Sequence, residues 1–235
     1  MTELKVKEMI NRLERHFGQP KPRPGRDPLS ELIFTILSQN TSDVNRDRAF
    51  QSLTSRFSSW ERVSRASPSA IASAIRPGGL ANVKSLRIKA ILTEIKRRYG
   101  CLSLDLLGNL PQEEVRDILL SFNGVGPKTV ACVLLFSLGQ PAFPVDTHVF
   151  RVAKRLGLLP AKATPERAHE IMERLVPPAK YYSFHINLIR LGRTICVPRS
   201  PRFDRCPLKD MCGCYRGRVG NKKGARCYQP LGEKR

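Results

Sequence analysis

Acidic residues are scarce in this chain of 235 residues. Twenty Asp and Glu stand against 41 Lys and Arg, a formal net charge of +21. Long apolar runs are missing too. The longest, Val130 to Phe136, has seven residues, far short of the ~20 that a membrane-spanning helix needs. The opening MTELKVKEMINRLERHF has no apolar stretch of the kind a secretion signal carries. The expected compartment is therefore the cytoplasm, or the nucleoid in a prokaryote, with no membrane partner. Alternation of apolar and polar residues is absent over any useful length, so strands are not expected. Cysteine is sparse before residue 196: Cys101 and Cys132 stand alone in apolar periodic segments and read as buried small hydrophobes. Cys196, Cys206, Cys212, Cys214 and Cys227 crowd the last forty residues. Without a secretion signal, such a cluster more often binds metal than forms disulfides.

What remains is ordinary globular composition, 41% hydrophobic and 26% charged, which excludes wholesale disorder. The usual partner for so much positive charge is nucleic acid. A ribosomal-type or membrane-surface protein is the alternative. No helix pairs a basic face with a strongly aromatic one, which weakens the membrane reading.

Helical periodicity recurs from end to end, so the fold class is all-α. Val6, Ile10, Leu13 and Phe17 form one stripe. Residues 18–26 are a Pro- and Lys/Arg-rich break. Asp27-Pro28 then reads as a cap and a first-turn proline opening a helix to Leu37. Further helices start near Ser42, Ser67-Pro68, Asn82 and Leu110-Pro111. Later ones span Pro127 to Leu138, Asp146 to Leu156, Thr164 to Val176 and Tyr181 to Ile195. Trp60 is expected in the core. Residues 215–235 hold seven Lys/Arg and one Glu, a net +6, and read as a flexible basic tail adding affinity for phosphates.

The central motif is Leu119-Leu120-Ser121-Phe122-Asn123-Gly124-Val125-Gly126-Pro127-Lys128-Thr129. An apolar helix ends, Gly-Val-Gly makes a turn and Pro127 opens the next helix. Two glycines permit backbone conformations that side chains block. The turn and the following helix N-terminus then make an anion site suited to a DNA phosphate. Lys128 falls in the first turn, where the helix dipole disfavours a cation. It is either another phosphate contact or a nucleophile. Eighteen residues on, Val145-Asp146-Thr147-His148-Val149-Phe150-Arg151-Val152 places Asp146 as a helix cap, or as a carboxylate that works with Lys128.

These segments, with the cysteine-rich loop after a helix, resemble the endonuclease III family of DNA glycosylases, in the helix-hairpin-helix superfamily. The resemblance covers about residues 28 to 212. Ile36-Leu37-Ser38-Gln39-Asn40-Thr41-Ser42-Asp43 is similar to the segment whose Gln fills the gap left by an extruded base. Gly78-Gly79-Leu80-Ala81-Asn82 is similar to the segment whose Leu wedges into the duplex, with Ala81 where close bacterial members have Tyr. The resemblance implies two helical domains. A six-helix barrel with the hairpin spans 28–138, and residues 1–27 with 139–214 form the cluster-type domain, followed by the tail 215–235. It implies Lys128 and Asp146 as catalytic, and Gln39, Leu80, Gly124, Val125, Gly126, Thr129 and His148 as DNA-binding. The implied activity is removal of a damaged, oxidised pyrimidine from double-stranded DNA, with abasic-site cleavage through a lysine Schiff base, by a monomer. A mismatch thymine or uracil glycosylase and a non-catalytic DNA-binding module are the alternatives.

The cysteine loop departs from the family's C-x6-C-x2-C-x5-C pattern for a [4Fe–4S] cluster. Cys196, Cys206 and Cys212 match its first, third and fourth positions, and Phe203 occupies the second. Cys214 is the expected replacement ligand and Cys227 a remoter one. Loss of the cluster and a zinc site are the other options.

Overall fold

A computed structural model describes residues 3–22 and 25–220, the side chains of 218–220 excepted. Among these residues the structure is all-helical and contains no strand. The chain divides into two compact units, Pro24–Gln140 and Met1–Arg23 with Pro141–Arg235. Helix α1 (Glu3–Phe17) opens the second of these.

The continuous unit holds α2 (Pro28–Leu37), α3 (Asp43–Arg56), α4 (Trp60–Arg65), α5 (Pro68–Ala74), α6 (Ala81–Tyr99), α7 (Gln112–Leu120) and α8 (Pro127–Phe136). Asp27 caps α2 by accepting from Ser30 N at 2.8 Å, with Pro28 in the first turn. Leu29, Leu32, Ile33, Ile36 and Leu37 are fully buried. A helix apolar on so many sides has to run through a core, and α2 packs against α3, α6 and α8. Each buried Leu or Ile contributes about 1.5–3 kcal/mol, so Leu32→Ala would cost about 2–5 kcal/mol. Ser42, Ser59 and Ser67 cap α3, α4 and α5 by the same device. Helix α6 stops at Gly100, whose φ of 72° is left-handed.

Two expectations fail here. Trp60 is half-buried at the first position of α4, a six-residue helix too short to show periodicity, and it is not in the core. Cys101 is exposed. It lies just past the Gly100 cap, so the apolar face of α6 no longer carries it inward.

The second unit adds α9 (Thr147–Leu156), α10 (Pro165–Leu175), α11 (Tyr181–Thr194) and α12 (Gly213–Gly220) to α1. Val6, Met9, Ile10 and Leu13 of α1 are buried, and α1 packs against α11. Glu14 accepts from Lys180 and Ser183, while Asn187 and Arg190 donate to the carbonyls of Gly18 and Phe17. These bonds satisfy carbonyls that the end of a helix leaves open. Gly192 on α11 allows the close approach of α9, since a Cβ there would lie 3.1 Å from His148 Cβ and 3.2 Å from Val152. Helix α12 starts at Gly213, where an unstructured tail was expected from residue 215. Residues 221–235, Cys227 among them, lie outside the described residues.

Candidate active site

Three loops of the continuous unit carry the residues singled out by the sequence. The hairpin joins α7 to α8. Val125 N donates to Phe122 O at 3.1 Å, and Gly124 has a φ of +78°. That is the left-handed region where only glycine sits without strain. Val125 is buried and anchors the turn. The N–H groups of Gly124 and Gly126 donate to no acceptor among the described residues. Thr129 is 2% exposed, so its side chain belongs to the core and only its backbone reaches the turn.

Lys128 stands in the first turn of α8 and is half-buried. Its Nζ donates to Ser38 Oγ at 3.3 Å, which links it to the loop holding Gln39. Lys128 in turn acts electrostatically on the buried Glu31 of α2. Burial pushes the Glu31 carboxyl up, and Arg26, Thr35 and Lys128 oppose that rise. Sequence reading missed Glu31, because a Glu in an apolar helix carries no signal of what it faces.

The loops with Gln39 and Leu80 share a backbone peculiarity. Asn40 (φ 51°) and Leu80 (φ 50°) are the non-glycine residues with positive φ among those described. Each costs about 1–3 kcal/mol and persists only where neighbours over-determine it. Leu80 is also 55% exposed, so an apolar side chain is held out in solvent by a strained backbone. Lys84, buried at 1% exposure, supplies the constraint. Its Nζ donates at 2.8 Å to both Leu37 O and Gly78 O. One ammonium thus ties together the segments that lead into Gln39 and Leu80. Burial holds its pKa down at about 8. A lysine at this spacing on α6 looks like a solvated face in sequence, so it was missed as well.

Asp146 belongs to the second unit, and the segment before it is pinned from three sides. His169 and His185, both buried, bond Phe143 O and Pro144 O at 3.1 and 2.8 Å, and Phe143 N donates to Glu173 at 3.0 Å. These histidines are structural, each held on a backbone carbonyl. Tyr181 is buried and donates its hydroxyl to Glu173 O. Asp146 caps α9, accepting from Val149 N at 2.7 Å through Oδ1. Its Oδ2 has no partner among the described residues, so capping leaves half of the carboxylate available. His148, half-buried, lies 3.1 Å from Arg151 through Nδ1.

The same helix fastens the cysteine loop. Arg151 and Arg155, each at most 2% exposed, donate to the carbonyls of Gly192, Cys196, Val197 and Pro198 at 2.6 to 3.3 Å. Cys196, Cys206 and Cys212 are free thiols on the wall of an apolar cavity of about 10 Å³, with Phe203 on the same wall. Such a space holds roughly one water. Burial pushes the Cys206 thiol up to about 11 and raises Cys212 as well. Cys214, the expected fourth ligand, is disulfide-bonded. No group of three or more His, Cys, Asp or Glu among the described residues is arranged to hold a metal ion. A [4Fe–4S] cluster needs four thiolates, and among the described residues this loop offers three free ones, a donor set one short of a cluster.

Comparison with known proteins agrees with the fold. A model of the HhH-GPD superfamily of base excision DNA repair proteins matches residues 33–178. An endonuclease III of Thermotoga maritima is 33% identical over 89% of this chain and 95% of its own length. A putative DNA glycosylase of Arabidopsis thaliana is 43% identical over 72% of this chain, which spans 57% of that relative. Among solved structures, endonuclease III trapped as a covalent intermediate with DNA, in an estranged-adenine complex, superposes with a TM-score of 0.78. It is 25% identical, and the match covers 93% of this chain and 99% of that one. With its glycine hairpin, its exposed Leu80 on a left-handed backbone and its helix-capping Asp146, this chain belongs to the HhH-GPD superfamily of base excision DNA repair glycosylases, in its endonuclease III-like branch.

Proposed function

We propose that the chain is a bifunctional DNA glycosylase and abasic-site lyase that acts, as a monomer, on oxidised pyrimidines in double-stranded DNA. The observation that carries this reading is Lys128, half-buried in the first turn behind the glycine hairpin and bonded to Ser38. A helix-hairpin-helix module that only binds DNA uses a lysine here for phosphate, and has no need of a carboxylate such as Asp146 with an oxygen left over from capping.

The steps are set by the residue types. Leu80 wedges into the stack and Gln39 fills the space of the extruded nucleotide, since a base inside the duplex is out of reach. Free N–H groups of Gly124 and Gly126 hold a phosphate. Asp146 Oδ2 takes a proton from the Lys128 ammonium. The amine lone pair then forms a bond to C1′ as the C1′–N bond breaks, and the base leaves with the electron pair and gains a proton. Positive charge that builds on the sugar is stabilised by the same carboxylate. Opening of the ring at O4′ gives a Schiff base. Loss of a C2′ proton then expels the 3′ phosphate by β-elimination. His148 serves the phosphates near Asp146.

Borohydride trapping tests this. Duplexes carrying oxidised pyrimidines, an abasic site, or T or U opposite G are incubated with wild type and Lys128→Ala. Wild type should be trapped on oxidised pyrimidine and abasic duplexes, and the variant on none. Trapping on the mismatches alone would make the chain a mismatch glycosylase. Tight binding without trapping on any duplex would reduce it to a binding module.

A further inference from the structure

Arg87, on α6 one turn beyond Lys84, has no place in the chemistry above, yet it touches two of the three loops. Its Nη1 donates to Gln39 Oε1. Its side chain also runs over the hairpin, where a Cβ built on Gly124 would land on its Cδ, Nε and Cζ. A guanidinium has only donors, so the Gln39 amide has one possible orientation in this contact, oxygen inward and NH2 outward. Gln39 Nε2 makes no hydrogen bond among the described residues. The amide is therefore tied at one end and open at the other, and the open end only donates.

We propose that Arg87 is a positioning residue that sets how the base opposite the extruded nucleotide is recognised. It does so by holding Gln39 as a donor-only group toward that base. The inference rests on the reading of Gln39 as the residue that fills the gap. The chemistry of the base edges then fixes a preference. Adenine N1 and cytosine N3 are acceptors at the centre of the Watson–Crick edge, whereas guanine N1 and thymine N3 carry protons. A donor aimed at the centre of that edge suits adenine and cytosine, whereas guanine and thymine offer it only their flanking carbonyl oxygens. The oxygen that would serve guanine or thymine is committed to Arg87.

Binding of the full chain to duplexes with a tetrahydrofuran abasic analogue opposite A, C, G or T tests this without any catalytic step. Fluorescence anisotropy should show wild type holding the A and C duplexes about fivefold more tightly than the G and T duplexes, the size of one base-edge contact. Gln39→Glu keeps a partner for Arg87 but replaces the donor with an acceptor, and should invert the order. Arg87→Met should shrink the preference to less than about twofold while Arg87→Lys keeps part of it, because only the guanidinium fork fixes the amide plane. Arg87→Met should add nothing in a Gln39→Ala background. Equal loss of affinity on all four duplexes, or additive effects in the double variant, would make Arg87 a phosphate contact and sink the proposal. A wild type with no preference would sink it too. Should Arg87→Met fail to fold, Gln39→Glu alone decides. A chain that shows the preference but is never trapped by borohydride loses the lyase reading and keeps this one. A chain that is trapped without the preference does the reverse.

Discussion

The hairpin at residues 121–127 and the cysteine loop at 196–212 are the two segments in which the sequence concentrates its special residues, and they are built on opposite plans. The hairpin is specified locally. A glycine takes the left-handed conformation, a buried valine anchors the turn and a proline starts the next helix. The cysteine loop is held from outside, by Arg151 and Arg155 of α9 reaching its backbone carbonyls. Its thiols line an apolar cavity together with a phenylalanine. A motif made by backbone conformation is self-sufficient, whereas a loop rich in possible ligands takes its meaning from what stands around it.

The largest effect that would sharpen this contrast lies at Asp146, at the start of the helix that carries those arginines. Asn caps a helix as well as Asp does, so Asp146→Asn should leave thermal stability nearly unchanged. Base release should slow by about 10²–10³-fold, the loss expected for one preorganised electrostatic group. Single-turnover kinetics against calorimetry separates the two, and full activity would reduce Asp146 to a cap.

In the loop itself the arginines should matter more than the thiols. Arg155→Met strips the donors from the carbonyls of Val197 and Pro198, while Cys196 O keeps Arg151, and should cost about 2–3 kcal/mol in urea unfolding, since part-buried groups left unpaired cost about 1–3 kcal/mol each. Cys206→Ser should cost less than about 1 kcal/mol. The reverse order, with iron or zinc bound at one site per chain in the purified protein, would break the comparison and make the loop a metal centre.

The hairpin should respond to backbone chemistry instead. Gly124→Ala should destabilise by about 1–2 kcal/mol from the left-handed φ alone. It should also displace Arg87, so the melting temperature should fall together with the preference for the opposite base.

The last effect, set by pH rather than by a single condition, concerns Lys84. Folding lowers its pKa to about 8 from its ordinary 10.5. Between those values the unfolded chain binds more protons, so the contribution of Lys84 to stability rises as pH goes up through that window. The urea midpoint of wild type relative to Lys84→Met should therefore shift in favour of wild type from pH 7.5 to pH 10. A flat difference would mean that the ammonium is less buried than its two carbonyl bonds imply.

Much of this was legible in the residues. The caps at Asp27, Ser42, Ser67, Asp146 and Thr164 lie where short polar side chains precede helices, because capping is decided within three or four residues. Helix α4 and the exposure of Cys101 were not legible. A six-residue helix shows no period, and burial beyond a helix end depends on the path the next segment takes.

By itself the sequence determined the all-helical class, the hairpin and the positions of Lys128 and Asp146 along the chain. Periodicity, glycine conformation and capping are local, and need no knowledge of distant partners. Only the tertiary structure decided that Lys84 ties the Leu80 loop to the Gln39 loop, that Arg87 orients the Gln39 amide, and that two arginines secure the cysteine loop. Each of those contacts, Lys84 to Leu37, Arg87 to Gln39 and Arg155 to Val197, joins groups more than forty residues apart or on different elements. A long basic side chain reads the same in sequence whether its charge ends in water or against a buried carbonyl.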